Sequence, residues 1–151
     1  MFFFLSCSGF PDEKQAEIDA KSVTSEMLKS NYELLEFIKT NAVEKDDPFL
    51  GLKIYEIEFK GKIKYLKDAY FYKYSKRKDI SSLYSYEFEL PKGIFGDILD
   101  SKIIEKKYDK INKNTIKEVT GSIGYVKKEN GWEVQKSTKG NRFVKIKIIE
   151  K

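Results

Sequence analysis

A chain of 151 residues with 40% hydrophobic and 15% aromatic residues can build one packed domain, and the disordered class is excluded. Its net charge of +5 rests on lysine, because Arg77 and Arg142 are the only arginines, and so few guanidinium groups argue against a nucleic-acid partner. With no histidine and a single cysteine, the commonest general base and metal ligand is missing, and neither an internal disulfide nor a thiolate metal cluster can form.

The chain begins MFFFLSCSGF, apolar up to Cys7 and polar after it. Phe4-Leu5-Ser6-Cys7 resembles a loose bacterial lipobox, in which a small residue precedes the cysteine that is lipidated and becomes the mature N-terminus. The apolar stretch is shorter than the 7–15 residues of a signal peptide and lacks its basic n-region, which a start codon assigned too late would explain. The expectation is a truncated signal and tether over residues 1–10, a lipid on Cys7, and a single α+β domain over residues 11–151.

Pro11-Asp12-Glu13 reads as a helix opening, with the proline tolerated in the first turn and the acids suited to the positive end of the dipole. Ala16, Ala20, Val23 and Met27, with Ile18 and Leu28 nearby, predict an amphipathic helix of about 18 residues ending near Lys29 and Asn31. Tyr32 to Thr40 reads as a first strand, and Asn41 to Pro48 as a polar turn.

The strongest pattern follows. Tyr55, Ile57, Phe59, Gly61, Ile63 and Tyr65 alternate with Glu56, Glu58, Lys60, Lys62 and Lys64, the period of a strand with one buried and one wet face. Eleven residues would span about 36 Å, so the strand is long, and Gly61 in its buried row marks a bulge or bend. The basic run Lys76-Arg77-Lys78 reads as a solvated loop tip, and Tyr84, Tyr86, Phe88 and Leu90 predict a further strand ended by Pro91. Ile94 to Ile111 reads as a short helix or irregular connection. Residues 115–137 predict a hairpin with a type I′ turn at Asn130-Gly131, and Phe143 to Ile149 a last strand after a turn at Lys139-Gly140-Asn141.

A helix followed by a long, bent antiparallel meander resembles the cystatin-like and NTF2-like α+β folds. The pieces Phe37-Ile38-Lys39-Thr40-Asn41, Tyr55-Glu56-Ile57-Glu58-Phe59, Leu66-Lys67-Asp68, and Gly121-Ser122-Ile123 to Gly131-Trp132 look like a group of small uncharacterised bacterial lipoproteins. Residues 76–113 stand as an insertion against that pattern. The resemblance implies a protein of the cell envelope and carries no catalytic residue across.

For chemistry, Tyr55, Phe59, Tyr65, Tyr125 and Trp132 are nominated as the lining of a pocket between helix and curved sheet, although core filling is the plainer use of the same residues. Asp68, set between apolar residues in Leu66-Lys67-Asp68-Ala69-Tyr70, is either a turn acid or a buried base with a raised pKa, as in ketosteroid-isomerase-like pockets. The expectation is a non-catalytic, lipid-anchored envelope domain that needs no cofactor or metal and binds a partner protein or a small apolar ligand. The alternatives are an NTF2-like small-molecule enzyme working through Asp68 and a basic cytosolic adaptor.

Overall fold

The computed structural model describes residues 9–27, 31–73, 89–136 and 142–149. The lipobox with Cys7, the basic run at 76–78, all but the last residues of the strand expected at 84–90, and the turn at 139–141 lie outside them. The architecture is α+β: one N-terminal helix lies against a mostly antiparallel sheet that does not close into a barrel.

Helix α1 runs from Glu13 to Met27. Asp12 caps it, its Oδ1 accepting the Gln15 N–H at 2.7 Å, so Pro11 precedes the helix instead of standing in its first turn. Ala16, Ala20 and Val23 are fully buried against the sheet, and the small alanines let the helix approach closely. Thr24 joins that face because its hydroxyl donates to the Ala20 carbonyl at 2.6 Å. Ile18, 52% exposed, faces away from the core.

Strands β1 (Tyr32–Asp46) and β2 (Lys53–Tyr65) form a long hairpin. The expected turn at 41–48 is mostly strand. The chain reverses only at Asp47, whose side chain accepts the Phe49 and Leu50 N–H groups, and at Gly51, whose φ of 62° suits glycine. β1 carries two register shifts, between Leu34 and Glu36 and between Lys39 and Asn41. Gly61 pairs with Phe37, the second residue beyond the first of them, and a Cβ there would collide with the Glu36 carbonyl. The bend expected at Gly61 is thus a bulge in its partner strand.

The small unit comes next: β3 (Ala69–Tyr72) pairs with β4 (Tyr108–Ile111), and α2 (Ser101–Lys107) is capped by Asp100. Between them a tight turn held by the Gly93 N–H to Asp97 carbonyl bond (2.7 Å) puts Ile94 and Phe95 in solvent. The main sheet resumes with β5 (Ile116–Lys128), paired to β2 in unbroken register from Ile54↔Val126 to Lys64↔Ile116. The far edge of β5 is shared by β6 (Gly131–Val134), which pairs with 125–128, and β7 (Val144–Ile148), which pairs with 119–123. The turn between β5 and β6 is centred on Glu129 and Asn130. Of the expected type I′ pair only Gly131 has positive φ, at 118°, so the glycine follows the turn, where it meets the strand twist without asking Asn130 to be left-handed.

The core gathers on one face of this sheet. Ile57, Phe59, Ile63 and Tyr65 of β2 join Leu34, Phe37, Val119, Ile123, Val144 and Ile146 under the helix alanines. The opposite face is charged and paired: Lys62 reaches Glu36 at 3.2 Å, Lys64 reaches Glu33 at 3.4 Å and Lys45 reaches Glu56 at 3.2 Å. Such exposed pairs contribute little stability but keep the second face wet.

Candidate functional site

Where α1 begins, the core face of the sheet is left open. The segment Gly9-Phe10-Pro11 runs across the end of β2 and β6, and the Phe10 ring stacks on Trp132 (centroids 5.2 Å apart) and tilts against Tyr55 (4.7 Å). Tyr55 and Trp132 come from different strands and lie 5.9 Å apart, so three aromatic rings form one wall. Beside this wall is a cleft of about 610 Å³, bordered by the cap Asp12, by Gln15 and Asp19 of the helix, by Tyr125, and by Trp132, Glu133, Val134, Lys136 and Arg142 from the sheet margin.

Polar groups floor the cleft. The Tyr125 ring is core, but its hydroxyl emerges to donate to Asp19 Oδ2 at 2.7 Å. Burial, and then the neighbouring Asp19 carboxylate, push the Tyr125 phenol well above its ordinary value, so it stays protonated. The other Asp19 oxygen accepts from Gln15 Nε2 at 3.0 Å. Strand pleating explains the grouping: Trp132, Val134 and Lys136 alternate onto one face of the chain, and Glu133 between them also borders the cleft. Lys136 and Arg142 are bridge partners where β6 and β7 come together, which brings their side chains to one side.

Of the residues nominated from the sequence, Tyr55, Tyr125 and Trp132 meet here. Phe59 and Tyr65 do not line this cleft. Phe59, 1% exposed, stacks on Phe37 at 4.4 Å and covers Gly121, and on the charged face of the sheet it touches a hollow of about 300 Å³ bordered by Glu58, Lys60, Thr120 and Ser122. Tyr65, fully buried, packs edge-on against Tyr32 at 5.0 Å.

Of the two readings of Asp68, the structure favours the turn acid over the buried base. Asp68 lies just past β2, at the other end of the sheet, where the Lys113 N–H donates to Oδ1 at 2.7 Å and Lys110 Nζ stands 3.6 Å from Oδ2. The Lys113 N–H above all, with Lys110 adding its charge, holds this carboxyl below its usual range, the opposite of what a general base at neutral pH requires. It is a turn acid. Phe10, Lys136 and Arg142 went unnoticed in the sequence, because nothing local tells a residue before a helix or beside a turn that it will share a cleft. The one available signal was Arg142 itself, one of two arginines in a lysine-rich chain.

Among the described residues no three His, Cys, Asp or Glu side chains gather as a metal site would require, and no helix is long and apolar enough to cross a membrane. Compared with protein families, characterised proteins and solved structures, the chain matches none of them.

Proposed function

We propose that this chain is a non-catalytic binding domain of the cell envelope, anchored to a membrane through lipid on Cys7 and built on a cystatin-like or NTF2-like frame, with the cleft at the start of α1 as its ligand site. The observation that carries this reading is the wall of Phe10, Tyr55 and Trp132 beside a polar floor. Ligand sites commonly combine aromatic surface for binding with a few polar groups for orientation. With several carboxyl, amide and amine groups at its border, the cleft suits a small amphipathic ligand better than the wholly apolar one expected from the sequence. The apolar run ending in Leu5-Ser6-Cys7 supports the anchor, and Cys7 stands two residues before Gly9, which borders the cleft. Asp68 gives no support to an enzymatic role, since that carboxyl is held below its usual pKa range at a turn away from the cleft.

Amide NMR with small aromatic probes tests the site. Saturable shifts should centre on Gly9, Gln15, Val134 and Lys136, and shifts absent there, or spread over the core, would overturn it. The anchor is tested by detergent partitioning of the protein expressed from its native genomic context. Wild type should enter the detergent phase and Cys7→Ser the aqueous phase, because two or more acyl chains hold stably where none does not. Equal recovery of both in water would refute lipidation.

A further inference from the structure

We infer that the cleft takes a small organic anion, a carboxylate or phosphate carried on a flat apolar body, with the charged head between Lys136 and Arg142 and the body against Trp132 and Phe10. This rests on the reading of the cleft as a binding site and names its ligand class. Lys136 and Arg142 face one another as bridge partners. Side chains directly opposite on one face have Cβ atoms about 4.5–5.5 Å apart, and like charges so placed destabilise the pair. The sheet therefore carries a local cost here that an acid should offset.

The acids nearby do not offset it. Asp12 is engaged as the helix cap through Oδ1, and both oxygens of Asp19 are taken, one by Gln15 and one by the Tyr125 hydroxyl. Glu133 also borders the cleft, but it makes no ion pair with either base. Among the described residues no ion pair joins Lys136 or Arg142 to any carboxylate. This contrasts with the outer sheet face, where Lys45, Lys62 and Lys64 each meet a glutamate.

Residue choice points the same way. Lysine supplies nearly all the positive charge of this chain, yet one of its two arginines stands at this bridge. A guanidinium presents two parallel N–H donors that match a carboxylate or phosphate, and lysine adds a mobile point charge beside it. The aromatic wall at the same cleft gives the remainder of such a ligand a surface to stack on.

Trp132 is the only tryptophan, so its fluorescence reports on this cleft alone. The full chain would be titrated with phenyl phosphate and, as the neutral control, phenol. Phenyl phosphate should change the emission saturably and bind at least about tenfold tighter than phenol, the worth of one charge-assisted bond. Lys136→Gln and Arg142→Gln, both at exposed positions, should each weaken phenyl phosphate about tenfold and leave phenol unchanged. Equal affinity for the two probes, or variants that bind phenyl phosphate as wild type does, would overturn the anion while leaving the cleft as a binding site. Binding of neither probe would overturn both. Competition from phosphatidylglycerol vesicles, but not phosphatidylcholine vesicles, would assign the anion to a lipid headgroup. Phenyl phosphate binding without such competition would assign it to a free solute.

Discussion

Tyr125 joins core and cleft in one side chain, its ring buried and its hydroxyl donating to Asp19. Because its folded-state pKa is raised, ionisation favours the unfolded chain. Its contribution is intact below the ordinary phenol value of 10.0 and is lost as pH climbs above it. Tyr125→Phe should cost about 1.5 kcal/mol at neutral pH, a typical figure for a hydrogen bond to a charged acceptor, and its stability should fall less steeply than wild type above pH 10. Urea melts across that range measure both, and parallel alkaline limbs would refute the assignment. Phe59 and its neighbour Glu58 differ just as plainly. Phe59→Ala empties a fully packed core site and should cost about 3–5 kcal/mol, whereas Glu58→Ala removes one exposed 3.3 Å bond from Asn41 and should cost well under about 1 kcal/mol. Midpoints compared at unchanged urea slope decide this, and similar costs would mean the sheet register is shifted by one residue.

Among the elements, β2 sets the geometry for its neighbours, and Gly61 is where it is most constrained. A Cβ at this position meets the Glu36 backbone, which cannot swing aside as a side chain can. Gly61→Ala should therefore cost about 1–3 kcal/mol despite the gain in strand propensity, and the loss should appear as faster amide exchange at Glu36 and Phe37. A neutral or stabilising substitution would show that the bulge can relax. The same strand shows what the sequence discloses. β2 was legible because one face is core and the other charged, so every second residue reports its side. β1 was legible only to Thr40. Beyond that residue Asn41, Glu44, Lys45 and Asp46 look like a turn, while the bulges at Leu35 and Thr40 twice reset which residues face inward. Phe59 and Tyr65 fill the core, the plainer of their two readings, but alternation does not say whether Tyr55 and Phe59, on one face of one strand, end beside a cleft or under a helix. The helix-entry residue Phe10 decided that for Tyr55. The pairing of β3 with β4 was illegible for a different reason: Tyr72 meets Tyr108 only across an intervening stretch of 35 residues, and four-residue strands carry too few alternations to read.

Taken whole, the molecule has two units of unequal size. The large sheet and α1 share one core, which β3 and β4 reach only at their base through Ala69 and Ile111, and the rest of β3, β4 and α2 makes a small appendage whose helix has no buried residue. Local stability should follow burial, so amides of Phe71 and Asp109 should exchange faster than those of Ile57 and Ile123. Equal protection across the two sheets would show that they unfold together. The appendage leaves and rejoins the large sheet at one point. The Tyr65 N–H bonds to the Thr115 carbonyl at 2.9 Å, the Tyr65 carbonyl accepts from Asn114 at 2.7 Å, and Asn114 takes a φ of 70° to close the ring.

That closed neck, with Ala69 and Ile111 packed on the main core, makes the span from Phe71 to Asp109 a cassette. Its two ends are held in place by the parent sheet, so its contents can lengthen, shorten or change character without altering the spacing of β2 and β5. The aromatic cleft lies at the far end of those same strands, beyond the reach of such exchange. A chain arranged in this way can vary one end while conserving the geometry of the other, and a reporter peptide or foreign hairpin grafted between Phe71 and Asp109 would travel with the domain as cargo.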